Sequence, residues 1–246
     1  MKGYKTMLFY FIRHGDPIYD PDSLTPLGHD QAEALSKRLA ICGLDEVYTS
    51  TSNRAILTAK PTCEKLGLEP KMLDFANEAH TWAELTVDRE DGKPGITWLF
   101  YNRRTAMLFN SKEIRDLGDR WYDHPAFKEK NYEKGIKRIY DASDEFFASL
   151  GYEHERYTGK YKTVAHNGKR VALFAHQGFG LAFLSCVLDI PYPQFCTHFD
   201  ITPTGMTVIE FTDNGGYTIP KVLMHSSDSH IYKEGLPTLY NGCIKI

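Results

Sequence analysis

Two histidines follow apolar segments that lie far apart in the chain. His14 comes after the apolar run 7–12, and His176 comes after the apolar run 171–175. In open α/β sheets, ligands bind where the carboxyl ends of the strands meet. If the two segments are neighbouring strands, His14 and His176 converge on one pocket.

Positively charged side chains accompany both the first histidine and a predicted helix start. Arg13 precedes His14, and Arg54 lies in the first turn of a helix that follows a short strand. A cation at a helix N-terminus opposes the helix dipole, so an anion nearby would offset that cost. Because a guanidinium binds two phosphate oxygens at once, these residues predict a phosphate pocket.

The order of the predicted elements indicates how these residues are positioned. The run 7–12 has no polar alternation, which is typical of a strand covered on both faces. Thr25 can cap a helix that starts at Pro26 and ends near Gly43. A strand at 46–50 and a helix at 52–66 follow, and later segments predict strands at 171–175, 206–211 and 219–224 and a helix at 179–188. This order predicts an α/β fold with a mainly parallel central sheet and helices on both faces.

The middle of the chain has a different composition. Residues 85–170 are rich in polar and aromatic side chains, with one clear amphipathic helix near 132–150 and a polar loop or exposed hairpin at 153–170. We therefore expect a single domain, 1–246, in which 85–170 is an inserted, cap-like region.

Composition restricts the possible partners. The chain has 29 basic and 32 acidic residues among 246, a balance that does not favour a nucleic-acid-binding protein. It contains neither an apolar run long enough for a membrane span nor a leader-like N-terminus. The five cysteines are scattered and form no C-x-x-C pair, so we expect reduced thiols and a cytoplasmic location, with no membrane or nucleic-acid partner. The sequence does not indicate an oligomeric state.

Several short motifs occur in a defined order and together resemble the histidine phosphatase superfamily, which includes the cofactor-dependent phosphoglycerate mutases. The resemblance covers most of the first 66 residues and the segment 171–211. Each motif alone is weak, but their order at strand ends is specific. The motifs are Arg13-His14-Gly15, Leu24-Thr25 with Gly28 and Gln31-Ala32, Ser50 with Arg54-Ala55 and Thr58-Ala59, and His176 after an apolar strand.

The resemblance implies a phosphohistidine intermediate and a small phosphorylated substrate. His14 would attack phosphorus as a neutral imidazole, while Arg13 and Arg54 would bind the non-bridging oxygens. His176 would be a cationic partner that stabilises the transition state. Because these cations supply the positive charge, neither a metal nor another cofactor is required.

Two further residues are predicted to bind the phosphate through their backbone. Gly15 would allow the chain to approach the ligand closely, because it has no Cβ. Gln177 follows His176 at a helix start, where its backbone N–H could donate to an anion.

The general acid is less well defined. Relatives place a carboxylic acid on a loop after the second helix, and Trp82-Ala83-Glu84-Leu85 resembles that segment, so Glu84 is the first choice. The glycine pattern that usually follows this glutamate is missing here. Glu78 and Asp16 therefore remain alternatives.

Other functions are also compatible with these residues. We favour a metal-independent phosphatase, but a phosphoglycerate mutase-type phosphoryl transferase or a non-catalytic phosphate-binding protein would use the same pocket. The pair His225 and His230 is a weak signal for a metal hydrolase. Thr204 is expected to have a structural role in a turn. Basic residues of the predicted cap suggest a second anionic group on the substrate, although the simpler interpretation is an exposed surface; they are Arg103, Arg104, Lys112, Arg115 and Arg120.

Overall fold

The structure, a computed structural model, describes residues 6–238, 240 and 241. The strands are β1 (Thr6–Arg13), β2 (Pro17–Tyr19), β3 (Asp22–Leu24), β4 (Glu46–Ser50), β5 (Lys71–Leu73), β6 (Thr86–Asp88), β7 (Ile96–Trp98), β8 (Tyr152–Glu155), β9 (Lys160–Thr163), β10 (Arg170–Ala175), β11 (Met206–Thr212), β12 (Tyr217–Thr218) and β13 (Lys221–Ser227). The α-helices are α1 (Pro26–Cys42), α2 (Asn53–Leu66), α3 (Glu78–Glu84), α4 (Arg103–Phe109), α5 (Lys112–Leu117), α6 (Tyr132–Ser149), α7 (Gln177–Leu188), α8 (Tyr192–His198) and α9 (Ser229–Lys233). Short 3₁₀ helices span Asp74–Ala76, Gly118–Asp123 and Pro125–Phe127.

A six-stranded sheet in the order β13-β11-β1-β10-β4-β5 forms the centre of the molecule. The neighbours among β1, β10, β4 and β5 run parallel, whereas β11 and β13 complete the other edge in antiparallel pairing. The predicted α/β fold with a mainly parallel sheet is confirmed.

The register of β1 against β10 aligns the ends of the two strands. Arg13 pairs with Ala175, the last residue of β10, and the backbone N–H of His14 donates to the carbonyl of Ala175 at 2.9 Å. His14 and His176 therefore emerge side by side from the same edge of the sheet.

The unbroken apolar run in β1 is explained by helices on both faces. Phe9 and Phe11 face a core that contains the aromatic side chains of α6 and α7, and Tyr10 and Ile12 face a second core with α1 and α2. Burial of alternate residues on opposite faces of a strand gives a continuous apolar run.

Local signals define the helix that follows the first turn. The Thr25 side chain accepts a hydrogen bond from the backbone N–H of Gly28 at 3.0 Å, Pro26 begins α1, and Gly43 follows its last residue. The predicted start and end of this helix are confirmed.

Helix α6 lies within the inserted region but packs directly against the central sheet. The ring of Phe147 contacts Phe9, with the ring centroids 5.1 Å apart, and stacks on Phe211 at 5.0 Å. The segment before α6 extends the same core with further aromatic side chains, where Phe109 packs against Trp121 at 5.1 Å. The C-terminal part of 85–170 thus contributes a helix to the sandwich, while the description of the whole segment as a cap stays a prediction.

Other sequence expectations concern the surface and the cysteines. The polar segment after α6 forms the hairpin of β8 and β9. None of the helices in the described residues is long and apolar enough to cross a bilayer. Four cysteines are free thiols, and Cys243 lies outside the described residues.

The packing of α6 predicts a large loss of stability on removal of its buried aromatic ring. We expect Phe147→Ala to lower the free energy of unfolding by about 3–5 kcal/mol, because the lost ring leaves a cavity in a close-packed core. Urea titration followed by circular dichroism would measure this difference. Glu145→Ala, on the exposed face of the same helix, is the matched control, and equal losses in the two variants would contradict the role of α6 in the core.

Candidate active site

A pocket of about 730 Å³ opens at the edge of the sheet where β1 and β10 end. The imidazole ring of His14 lines this pocket, and the ring of the fully buried His176 lies beside it, with the two centroids 5.2 Å apart. The residues that line the pocket include Arg13, His14, Arg54, Glu78, Gln177 and Trp98. The site thus collects side chains from the ends of two strands and from the starts of three helices.

His14 has a defined tautomer. Its Nδ1 lies 2.6 Å from the carbonyl oxygen of Gly15, and because a carbonyl oxygen can only accept, Nδ1 must carry the proton. The lone pair of the neutral ring is then on Nε2. A hydrogen bond at one ring nitrogen is the usual means by which a protein prepares the other for nucleophilic attack.

The surroundings of His14 also favour its neutral form. Burial lowers the pKa of His14 well below its usual value, and the positive charges of Arg13 and Arg54 lower the pKa further, against the opposing effect of the bond to Gly15. A buried imidazole beside two guanidinium groups loses its proton readily. His14 is therefore available as a nucleophile even in weakly acidic solution.

His176 lies between a hydroxyl group and a carboxylate. Its Nε2 is 2.8 Å from Oγ of Ser50, and its Nδ1 is 3.3 Å from Oε2 of Glu78. Burial lowers the pKa of His176 well below its usual value, and the positive charges of Arg54 and Arg13, as well as that of His14 whenever it is protonated, lower the pKa further. Without a bound anion His176 is thus favoured as neutral, and the cationic role expected for it in the transition state would require an anion in the pocket.

The two arginines have hydrogen-bonding capacity that the described residues do not use. Arg13 donates to the carbonyl of Ile201 at 2.5 Å, and Arg54 forms an ion pair with Asp22 at 2.7 Å. Both Nε atoms are buried and have no hydrogen-bond partner within residues 6–238, 240 and 241. Because buried donors are rarely left unpaired, an anion with several oxygens would complete this arrangement.

Glu78, rather than Glu84, is the carboxylate in the pocket. Besides its contact with His176, Glu78 accepts a hydrogen bond from the backbone N–H of Phe179 through Oε1 at 3.2 Å. Glu84 is held by Arg138 through contacts of 2.7–3.0 Å and does not line the pocket, so the placement of Glu84 in the site is wrong. The two residues lie six positions apart on α3 and therefore point in different directions.

Asp16 also does not line the pocket, because its carboxylate accepts a hydrogen bond from the Thr25 hydroxyl at 2.7 Å. This leaves Glu78 as the alternative that reaches the histidines.

Gly15 is needed for packing rather than for ligand contact. Its backbone N–H donates to the Thr58 hydroxyl at 3.0 Å, and a Cβ at this position would lie 2.6 Å from the carbonyl oxygen of Gly28. The glycine therefore permits the turn after β1 to lie against the start of α1. The predicted close approach is present, but it is to the protein's own backbone.

Gln177 lines the pocket as the first residue of α7, and its side-chain amide donates to the hydroxyl of Tyr101 at 2.8 Å.

The two histidines that weakly indicated a metal site, His225 and His230, bind to different partners. His225 bonds with the carbonyl of Asp200 at 2.9 Å, whereas His230 lies 3.0 Å from the hydroxyl of Thr204. Thr204 adopts a left-handed backbone conformation in a turn just before β11, in agreement with its expected turn role.

Comparison with known proteins gives a family. The sequence profile described as histidine phosphatase superfamily (branch 1) matches residues 9–129, a segment that contains Arg13, His14, Arg54 and Glu78. The chain belongs to the histidine phosphatase superfamily. A comparison with the sequences of curated proteins finds no match.

Solved structures of the superfamily share the fold across nearly the whole chain. A phosphoserine phosphatase from Entamoeba histolytica has 16% identity and a TM-score of 0.58, with 92% of this chain and 99% of that chain covered. A mycobacterial glucosyl-3-phosphoglycerate phosphatase has 17% identity and a TM-score of 0.57, with 90% and 99% covered. An alpha-ribazole phosphatase from Shigella flexneri has 18% identity and a TM-score of 0.54, with 90% and 97% covered. At these identities the likeness establishes the fold alone.

Some residues that line the pocket of this histidine phosphatase superfamily member were not expected from the sequence. Asp22 holds Arg54, and Trp82 and Trp98 form part of the wall. Asp22 lies in a short hairpin of β2 and β3, and Trp98 comes from β7, so their positions depend on loop geometry that has no periodic signal. Trp82 was visible only as part of the segment that resembles the family's glutamate motif.

The different environments of two histidines predict opposite protonation states at one pH. Burial alone would lower the pKa of His154, but its hydrogen bond with Asp144 and the nearby carboxylate of Asp189 outweigh this effect and raise the pKa to about 9. At pH 6.5 we therefore expect His154 to be a cation and His14 to be neutral with the proton on Nδ1. Nitrogen-15 NMR of the imidazole rings would measure both states, with His14→Ala for assignment. A doubly protonated His14 at this pH would contradict the proposed nucleophile.

Proposed function

We propose that the protein is a phosphomonoesterase that works through a phosphohistidine intermediate on His14. The observation that carries the proposal is the 2.6 Å hydrogen bond from Nδ1 of His14 to the Gly15 carbonyl, which leaves the Nε2 lone pair for attack in a cationic pocket. A neutral, oriented imidazole is the form that phosphoryl transfer to histidine requires. Small phosphorylated molecules are the proposed substrates.

The arginines bind and polarise the phosphoryl group in this mechanism. Arg13 and Arg54 offer their unpaired Nε–H groups to the non-bridging oxygens, and the start of α7 at Gln177 adds the positive end of a helix dipole. Charge on these oxygens in the transition state is then compensated by fixed donors. The side chains supply the positive charge themselves, so the mechanism requires no metal.

Phosphoryl transfer proceeds in two balanced steps. Nε2 of His14 forms a bond to phosphorus while the bond to the ester oxygen breaks, and Glu78 gives a proton to the departing oxygen. Glu78, now a carboxylate, takes a proton from water, whose oxygen attacks phosphorus and breaks the phosphorus–nitrogen bond. Inorganic phosphate leaves and His14 and Glu78 return to their starting forms.

Glu78 and His176 are proposed to act together. Oε2 of Glu78 lies 3.3 Å from Nδ1 of His176, so the carboxyl group that lines the pocket contacts an imidazole buried next to it. A bound phosphate dianion favours an additional proton on this pair of groups, which the carboxyl group of Glu78 can hold while His176 is neutral. Substrate binding would thus create the acid that the first step needs.

A metal-dependent hydrolase is the second candidate. The possible ligand atoms of His14, Glu78 and His176 lie within 4.8 Å of one another, which is compatible with a bound ion. One observation favours the phosphohistidine mechanism: two cationic side chains, Arg13 and Arg54, line the same pocket and would repel a metal ion. The cytoplasmic location and the absence of membrane or nucleic-acid partners stay predictions.

His14 is expected to be indispensable for hydrolysis of an aryl phosphate in the presence of a chelator. Removal of the nucleophile should lower kcat at least 10³-fold, on the order of the losses seen when a covalent catalyst is deleted. His29→Ala, at an exposed histidine, is the matched control and should retain full activity.

The same preparations test the competing functions. An acid-labile phosphorylated parent that is absent in His14→Ala would support the intermediate. Loss of activity with chelator would support the metal-dependent alternative, and transfer of phosphate between acceptors without its release would indicate a mutase. Activity that survives in His14→Ala would contradict the proposal.

Substitution of the two glutamates should separate the acid from the structural residue. We expect Glu78→Gln to lower kcat for alkyl phosphates by about 10²–10⁴-fold, since the departing alkoxide then lacks a proton donor. The loss should be smaller for 4-nitrophenyl phosphate, whose leaving group is stable as an anion. Glu84→Gln breaks the contact with Arg138 and should change thermal stability but not kcat. Steady-state rates for both esters would measure this, and the reverse pattern would restore Glu84 as the acid.

A further inference from the structure

An aromatic corner borders the polar part of the pocket. Trp82 and Trp98 both line the pocket and meet edge to face, with ring centroids 4.8 Å apart and an interplanar angle of 86°. Trp98 is supported from behind by Phe100, which stacks on it at 5.6 Å. Trp82 keeps 37% of its surface exposed, so its ring can still bury area against a ligand.

This corner lies on the side of the pocket from which the ester oxygen leaves. A Cβ built on Gly178 would lie 2.4 Å from the Trp98 ring and 2.6 Å from Oε1 of Glu78, so the ring and the carboxylate meet at one point. Trp82 follows Glu78 by four residues on α3, which places both side chains on the same face of the helix. Any group attached to the oxygen that Glu78 protonates must therefore approach the two tryptophans.

The pocket offers no cation for a second anionic group. Among the described residues that line it, the positive charges are Arg13 and Arg54, and both are assigned to the phosphoryl group. Asp22 adds negative charge near Arg54, and its carboxylate already accepts bonds from Arg54, Ser52 and the backbone of Asn53 at 2.7 Å each. A carboxylate on the substrate would lose its hydration without gaining a partner.

The basic residues of the predicted cap do not supply the pocket with a further cation. Arg103, Arg104, Lys112, Arg115 and Arg120 are not among the residues that line the pocket. The side chain of Arg104 is 91% exposed, and Lys112 is paired with Asp116 at 2.6 Å. The suggestion that these residues bind a second anionic group is therefore not supported.

We propose, on the basis of the function proposed above, that the substrate is a monophosphate ester whose alcohol part carries a planar aromatic or apolar group and no second anionic group. The aromatic corner would bind that group while Glu78 protonates the oxygen that joins it to phosphorus. This class differs from 3-phosphoglyceric acid and phosphoserine, which occur in complexes of the phosphatase from Entamoeba histolytica and carry a carboxylate.

Three alkyl phosphate esters test the proposal. All three release an alcohol, so they do not differ in the type of leaving group. We expect kcat/KM for 2-phenylethyl phosphate to exceed that for ethyl phosphate and that for 3-phosphoglycerate by about tenfold or more, which corresponds to the upper end of one aromatic contact. Trp82→Ala should remove this preference through a higher KM for the phenylethyl ester alone, whereas Trp82→Phe should retain most of it.

A binding measurement tests the proposed substrate class independently of the proposed catalytic mechanism. Quenching of tryptophan fluorescence by 2-phenylethylphosphonate, ethylphosphonate and phosphonoacetate reports affinity without turnover, in the parent and in His14→Ala. Tight binding of the phenylethyl compound with no hydrolysis of any ester would refute the proposed phosphatase but support the ligand class. Equal affinities, or a preference for phosphonoacetate, would overturn the ligand class even if hydrolysis were efficient.

Discussion

The parallel pairing of β1 with β10 is the constraint on which the site depends. Because Arg13 is level with Ala175, the two strands end together and their following histidines come within 5.2 Å between ring centroids. A shift of the register by one residue would turn these side chains to opposite faces. The helices on both faces of β1 fix this register, so the apolar core and the position of the nucleophile are set by the same packing.

Buried charge determines the chemical state of the pocket. Arg13 and Arg54 are held by the carbonyl of Ile201 and the carboxylate of Asp22, which maintains two cations beside a neutral His14. An imidazole in this position resists protonation, because burial and the neighbouring charges act in the same direction. In the proposed mechanism, the anion that relieves this repulsion is also the group that His14 attacks, so binding and reactivity would be coupled.

The sequence predicted those parts of the site that are tied to regular elements. Arg13, His14 and His176 stand at strand ends, and Arg54 stands at a helix start, so their positions follow from periodicity and capping signals. Glu84 was misplaced because two glutamates on one short helix differ only in direction, which a motif does not encode.

Likewise, the contribution of α6 to the core depends on long-range contacts, such as that of Phe147 with Phe9. Asp22 and Trp98 come from short hairpins, whose placement depends on chain geometry over many residues. Side chains on such loops could be found only from the three-dimensional structure.

The carboxylate of Asp22 competes with an incoming anion for the guanidinium group of Arg54. This carboxylate accepts a hydrogen bond from Nη1 of Arg54 and is itself held by Ser52 and Asn53, so an incoming phosphate would gain less than it would from an unengaged arginine. The same interaction keeps the arginine in one orientation between catalytic cycles. For the proposed phosphatase we therefore expect a moderate affinity for released inorganic phosphate and weak product inhibition.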